Sequence, residues 1–101
     1  MPVAIVMEFE GGTLEQYDEV IERMGFARGG EGAVGGLFHW VTTTDTGIRV
    51  TDVWETAEQY QQFAEEQIGP ITQEVGVPAP PQLTFYDVHN YLTAGVEVPT
   101  G

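Results

Sequence analysis

The chain has 101 residues without cysteine or lysine, and 16 acidic residues against three arginines give a net charge of −13 at pH 7. This length predicts a single domain, and the lack of cysteine excludes disulfides, thiolate catalysis and zinc–thiolate sites. So negative a chain repels phosphate backbones and anionic lipids, and we expect neither a nucleic-acid nor a membrane partner.

The N-terminal quarter of the chain predicts a strand followed by a capped helix. Residues 3–9 are mostly β-branched or apolar, and Gly11-Gly12 end this strand. Thr13, with Gln16 three residues later, forms a capping-box pattern. Apolar residues then recur at helical spacing up to Gly25, the predicted C-cap.

Residues 25–36 predict a loop. The stretch contains six glycines together with Arg28 and Glu31. It lacks the lysine and the helix start of a phosphate-binding glycine loop. We therefore expect a flexible loop or lid here.

Two further apolar segments, residues 37–43 and 48–54, predict a hairpin around a turn at residues 44–47. Glycine at position 47 suits a type I turn closed by a bulge, which gives a three-residue loop. We favour this loop over a two-residue one.

The loop length decides which side chains share a face of the hairpin. The three-residue loop places Trp40 opposite Asp52 and Phe38 opposite Trp54, so that aromatic rings surround one carboxylate. A two-residue loop shifts the register by one and sets His39 opposite Asp52 as a possible dyad.

The rest of the chain predicts a second helix and a last strand. Thr56 caps the helix with Gln59 at its third position, and Gly69-Pro70 end it before a short extra turn. Residues 83–92 read as the last strand, and residues 93–101 as a flexible C-terminal tail.

This element order predicts a ferredoxin-like βαββαβ fold of the α+β class, formed by residues 1–92. Its four-stranded antiparallel sheet has the order 4-1-3-2, with two helices on one face. Every strand carries apolar residues on both faces, so the face without helices must be covered. A second copy of the chain is the simplest cover, and we expect a homodimer.

The chain resembles the dimeric α/β-barrel superfamily, close to its antibiotic-biosynthesis-monooxygenase-like members. The resemblance spans residues 2–92 and rests on the element order and on Val53-Trp54-Glu55-Thr56 leading into helix residues 57–63. It implies a homodimeric α/β barrel with a pocket between each sheet and its own helices. Known activities in that superfamily are cofactor-independent oxygenation of quinol-like aromatics, polyketide cyclisation, lactone isomerisation and haem breakdown. The haem-degrading branch shares a strand-1 Asn that this chain lacks, and we expect no cofactor.

Three residues are candidates for catalysis: Asp52, His39 and His89. A carboxylate among aromatic rings suits proton abstraction next to a carbonyl or orientation of a phenol. Trp40, Tyr17 or Tyr60 could donate a hydrogen bond to this carboxylate. The alternatives for Asp52 are a structural hydrogen bond from a tryptophan N–H, or a position facing solvent near the end of the strand. The histidines lie on the two edge strands, where they could pack at an interface, meet across it, or act as acid and base.

No third ligand accompanies the histidines, so we expect no metal site. A hydrophobic or aromatic small molecule is the expected ligand. The predicted pocket wall consists of aromatic side chains: Trp40, Trp54, Tyr17, Tyr60, Phe63, Phe38 and Tyr91.

These features favour a small cofactor-independent enzyme of monooxygenase, cyclase or isomerase type, acting on an aromatic or polyketide-like molecule. The alternative is a non-catalytic homodimer that binds a small molecule or has a structural role. The first residues lack the basic segment of a signal peptide, and no apolar run approaches the ~20 residues of a membrane span, so we expect a cytoplasmic protein.

Overall fold

The computed structural model describes residues 1–93, and it confirms the ferredoxin-like fold. All strand pairings are antiparallel, and the sheet order is β2-β3-β1-β4, as predicted. No helix in this part of the chain is both long and apolar enough to cross a membrane. The elements in chain order are β1 (Val3–Glu10), α1 (Leu14–Met24), β2 (Gly36–Thr43), β3 (Gly47–Trp54), α2 (Ala57–Phe63), a π-helical turn (Ala64–Ile68), α3 (Gly69–Val75) and β4 (Gln82–Asp87).

Helix α1 begins at the predicted capping box. The Thr13 side chain accepts from the Gln16 backbone N–H, and the Gln16 side chain accepts from the Thr13 N–H. Gln16 Nε2 also donates to the Gly76 carbonyl at 3.3 Å, which ties the start of α1 to the end of α3. Gly25 ends the helix in the left-handed conformation, as predicted.

The second helix is longer than predicted. It starts at the Thr56 cap but does not stop at Gly69-Pro70. Instead the chain passes through the π-helical turn into α3, and the Gly69 N–H bonds to the Ala64 carbonyl. Pro70 lacks an N–H, and a widened turn is one way for a helix to absorb that defect without ending.

The hairpin register differs from the one we favoured. Strand residues pair His39 with Asp52 and Trp40 with Thr51, so the two-residue-loop alternative is correct. Gly47 does not adopt the positive φ of a bulge glycine. It is needed for a different reason: a Cβ at this position would lie 2.0 Å from the Phe9 carbonyl oxygen of β1.

This register sets the two faces of the sheet. The face toward the helices carries nearly all of the buried core, with Ile5 fully buried at its centre. The open face carries Phe38 and Trp40, which are 53% and 46% exposed. It also carries an ion pair between Arg49 and Glu8 within the chain.

Strand β4 ends earlier than predicted, at Asp87. Its partner strand β1 begins at Val3, which pairs with Asp87, and the Val88 N–H donates to the Pro2 carbonyl at 2.9 Å. His89 follows this bond and lies beyond the strand. The predicted tail lies outside the described residues except for Thr93.

Candidate functional site

An open cavity of about 1210 Å³ lies between the sheet and helix α1. Helix α1 packs mainly against α3 and makes few contacts with the sheet, which leaves this space unfilled. The loop of residues 25–36 supplies another part of the wall. Most of the lining is apolar, with contributions from each side such as Met7, Val20, Met24, Val41, Val50 and Phe63.

A chain of four hydrogen-bonded side chains reaches from the core into this cavity. The buried Trp54 donates its Nε1–H to Asp52 Oδ2 at 3.0 Å. Asp52 Oδ1 lies 2.5 Å from His39 Nδ1. His39 Nε2 is hydrogen-bonded to the Tyr17 hydroxyl, whose ring lies within 13° of the plane of the imidazole. Tyr17, His39, Asp52 and Trp54 all line the cavity.

The direction of each hydrogen bond follows from the donors available. An indole N–H only donates and a carboxylate only accepts, so Asp52 accepts from both Trp54 and His39. The His39 proton is thereby held on Nδ1 when the ring is neutral. Nε2 then carries a lone pair, and the Tyr17 hydroxyl donates to it.

Exposure increases from the buried Trp54 and Asp52 to His39. Asp52 is 4% exposed as a residue, whereas the His39 side chain is 41% exposed. The carboxylate is therefore shielded from water, whereas the imidazole is partly exposed. The buried Asp52 carboxylate stabilises the imidazolium that forms when His39 Nε2 accepts a proton.

Local structure explains how the sequence builds the site. Asp52 and Trp54 are two residues apart on β3 and so share a face. His39 lies directly opposite Asp52 on β2. Tyr17 lies in the first turn of α1, where the Thr13 cap fixes its backbone through a 3.0 Å bond to the Thr13 carbonyl.

Burial and the Asp52 charge raise the pKa of two tyrosines. Burial contributes most to the rise in the pKa of Tyr17 to about 12, followed by the charges of Asp52 and Asp18. Burial and then Asp52 raise the pKa of Tyr60 to about 12 as well. Both phenols therefore stay protonated at neutral pH, and Tyr17 is a hydrogen-bond donor rather than a phenolate.

The predicted pocket residues separate into three groups. Trp54, Phe63 and Tyr17 line the cavity. Phe38 and Trp40 border it from the edge strand β2, but the register places them on the open face of the sheet.

Tyr60 and Tyr91 form the third group, together with the candidate base His89. Tyr60 is part of the core, in edge contact with Trp54 and Phe85 at ring-centre distances of 6.0 and 5.7 Å. His89 and Tyr91 lie past the end of β4 and outside the cavity lining.

Trp54 was predicted from the sequence as a pocket residue, but its role as the donor to Asp52 was not. We expected Trp40, Tyr17 or Tyr60, whereas Trp54 makes this bond. The sequence Asp52-Val53-Trp54 contained the signal, because residues two apart on a strand lie on the same face of the sheet.

Charged residues near the cavity are mostly acidic. Asp18, Glu22 and Glu31 belong to its lining, and Arg28 is the only arginine among them. The Arg28 guanidinium lies 3.9 Å from Asp18. Within residues 1–93, no group of three or more His, Asp or Glu side chains is placed to hold a metal ion.

No protein-family model and no curated protein matches this sequence. Among solved structures, the chain is similar to a monooxygenase from the gene ActVA-Orf6 of Streptomyces coelicolor, crystallised with the ligand nanaomycin D. The TM-score is 0.52 at 17% sequence identity, over 91% of this chain and 90% of the monooxygenase chain. The similarity confirms the resemblance at the level of the fold. This chain therefore has the ferredoxin-like fold seen in that monooxygenase.

Proposed function

We propose that this protein is a cofactor-independent enzyme that removes the proton from a phenolic or enolic hydroxyl of an apolar aromatic molecule. The observation that carries the proposal is the Asp52–His39 pair, which holds an imidazole at the wall of a large apolar cavity, with its acceptor Nε2 bonded to the Tyr17 hydroxyl. His39 is the general base. Asp52 and Trp54 are positioning residues that hold its tautomer and ring orientation.

The surroundings of the site favour a substrate that arrives neutral. The acidic residues Asp18, Glu22 and Glu31 repel an anion, and the apolar wall favours a flat hydrophobic body. Such a phenol becomes reactive only after losing its proton inside the cavity. The proton passes to His39, and Asp52 stabilises the imidazolium that forms.

Deprotonation is the first step of the oxygenation that the structural neighbour's name suggests. An electron-rich phenolate can react with O2 without a metal or an external reductant. With 1-naphthol, one oxygen atom would enter the ring carbon opposite the hydroxyl and the other would leave as water. The products are 1,4-naphthoquinone and water, so the four electrons that the ring loses are the four that O2 gains.

A binding titration with 1-naphthol tests the base. We expect wild-type protein to bind it as naphtholate, visible by its absorbance at a pH where free naphthol is neutral. His39→Gln should bind the neutral form, because glutamine cannot take up the proton. His89→Gln is the matched histidine variant. Naphtholate formation lost in His89→Gln but kept in His39→Gln would assign the base to the other histidine and overturn the proposal.

Oxygen uptake tests the second step. Wild-type protein should consume O2 and release 1,4-naphthoquinone from 1-naphthol, and His39→Gln should not. Naphtholate binding without oxygen uptake would show that the oxygenation step is wrong. Neutral binding by wild-type protein would instead support the alternative of a non-catalytic binder.

We also infer that a second copy of the chain covers the open face of the sheet. Phe38, Trp40 and Tyr86 lie on that face and are at least 46% exposed, and Val6 and Val53 lie between them. An uncovered patch of this kind favours a self-complementary interface. Sedimentation velocity should show a dimer at micromolar concentration, and Val6→Glu on the central strand should give a monomer. A wild-type monomer would contradict this inference.

A further inference from the structure

Both ring nitrogens of the proposed base are occupied. Nδ1 is bound to Asp52, and Nε2 is bound to the Tyr17 hydroxyl. A bound molecule can therefore reach the imidazole lone pair in two ways. It displaces Tyr17, or it transfers its proton through Tyr17.

Tyr17 is held where it is by several contacts. The capping box at Thr13 and Gln16 fixes the first turn of α1, and Gln16 ties that turn to the end of α3. The tyrosine ring lies alongside the imidazole, with ring centres 5.8 Å apart. Displacing Tyr17 would break its hydrogen bond and move a ring that the helix holds in place.

The Tyr17 oxygen retains an acceptor site while its hydrogen points to His39. A hydroxyl is one donor and has two acceptor lone pairs, so Tyr17 can accept from a ligand while donating to Nε2. Tyr17 is itself part of the cavity lining. A ligand hydroxyl that donates to the Tyr17 oxygen would therefore form one hydrogen-bonded row with Tyr17 and His39 Nε2.

We propose that Tyr17 is a catalytic residue that contacts the substrate hydroxyl and relays its proton to His39. This inference rests on the proposed function of the Asp52–His39 pair. The substrate O–H bond breaks as a new O–H bond forms on Tyr17, and the original Tyr17 O–H bond breaks as the Nε2–H bond forms. The result is a substrate anion, a neutral Tyr17 and an imidazolium paired with Asp52. No oxidant or reductant takes part in this step.

The relay has a consequence for substrate choice. The substrate meets a hydroxyl that both accepts and donates, rather than a bare imidazole. A molecule whose acidic hydrogen is on oxygen can donate a hydrogen bond to Tyr17, whereas one without a hydroxyl cannot. The relay therefore selects phenols and enols over aromatic molecules that lack a hydroxyl group.

The Tyr17→Phe variant tests the relay with 1-naphthol as the probe. We expect naphtholate to form roughly 10²-fold more slowly in this variant, measured by the growth of its bound absorbance. Tyr86→Phe removes a hydroxyl from the open face of the sheet and should behave as wild type. Naphtholate formation that is unchanged or faster in Tyr17→Phe would show that Tyr17 only covers the base, and would overturn the relay.

The outcomes separate the relay from the proposed function. If wild-type protein forms no naphtholate, the base itself is wrong. If wild type and Tyr17→Phe form it at the same rate and His39→Gln does not form it, only the relay is wrong. A crystal structure of the 1-naphthol complex is independent of the variants' stability. The relay requires the naphthol oxygen on the Tyr17 hydroxyl, and a naphthol oxygen directly on His39 Nε2 would overturn it.

Discussion

His39 Nδ1 lies 2.5 Å from Asp52 Oδ1, across the paired strands β2 and β3. The contact joins an exposed imidazole to a carboxylate that is almost fully buried. The carboxylate also accepts a hydrogen bond from Trp54 on its buried side, and this bond fixes its orientation. The pair thus holds a base in one tautomer at the wall of an apolar cavity.

Asp52→Asn should weaken naphtholate formation while keeping the fold. Asparagine has nearly the volume of aspartate and its carbonyl can still accept from Trp54, but it cannot stabilise the imidazolium by charge. We expect a loss of roughly 10²- to 10⁴-fold in the rate of naphtholate formation, measured by stopped-flow absorbance. Asp45→Asn, in the exposed hairpin turn, is the charge-matched control. An Asp52→Asn rate equal to that of Asp45→Asn would show that Asp52 has no part in the step.

Trp54→Phe should destabilise the protein by about 2–4 kcal/mol. The substitution removes the N–H that donates to Asp52 Oδ2, and it also leaves a space beside Tyr60 and Phe63. Urea unfolding measures the change. Trp40→Phe makes the same change on the open face of the sheet and should cost less, because it leaves no buried carboxylate without a donor. Equal losses would contradict the role of Trp54.

Gly47→Ala should destabilise the hairpin, because the new Cβ would lie 2.0 Å from the Phe9 carbonyl oxygen. Strand β1 would have to move away, at a cost of about 3 kcal/mol in the free energy of unfolding. Gly32→Ala is the matched control, since an added Cβ there meets nothing within 4 Å. Thermal unfolding compares the two variants, and an unaltered melting temperature for Gly47→Ala would refute the close approach.

The stability of the protein should fall between pH 10 and pH 12. A tyrosine in the unfolded chain loses its proton near its ordinary pKa of 10.0, whereas the pKa of Tyr17 and Tyr60 in the fold is about 12. Across this window the unfolded state binds fewer protons than the folded state, so the free energy of unfolding decreases as pH rises.

Tyr60→Phe removes one of these two groups. Its free energy of unfolding should decrease less steeply than that of the wild type over the same window, in urea titrations at several pH values. Parallel curves for the two proteins would contradict the raised pKa of Tyr60.

The architecture could be predicted from the sequence because its signals are local. The capping box at Thr13, the terminating Gly25 and the Thr56 cap are each decided by a few neighbouring residues. The signal that ends β4 is not local. It depends on where β1 begins, so the position of His89 could not be read from its own segment.

The candidate site depended on a register that the turn residues did not decide. Gly47 suited a bulge, but the close approach of Phe9 from the next strand is the reason for a glycine there. A shift of one residue then exchanged Trp40 for His39 on the cavity face. Asp52 and both register alternatives were identified from the sequence. The choice between them required the third strand.

The tautomer of His39 is the most direct test of the site, and it requires no substrate. Nitrogen-15 NMR of the imidazole in mildly alkaline solution distinguishes a protonated from an unprotonated ring nitrogen. We predict that neutral His39 carries its proton on Nδ1, and that Asp52→Asn weakens this preference. Two results would contradict the assignment of His39 as a base held by Asp52: a neutral His39 protonated on Nε2, or a tautomer preference that is unchanged in Asp52→Asn.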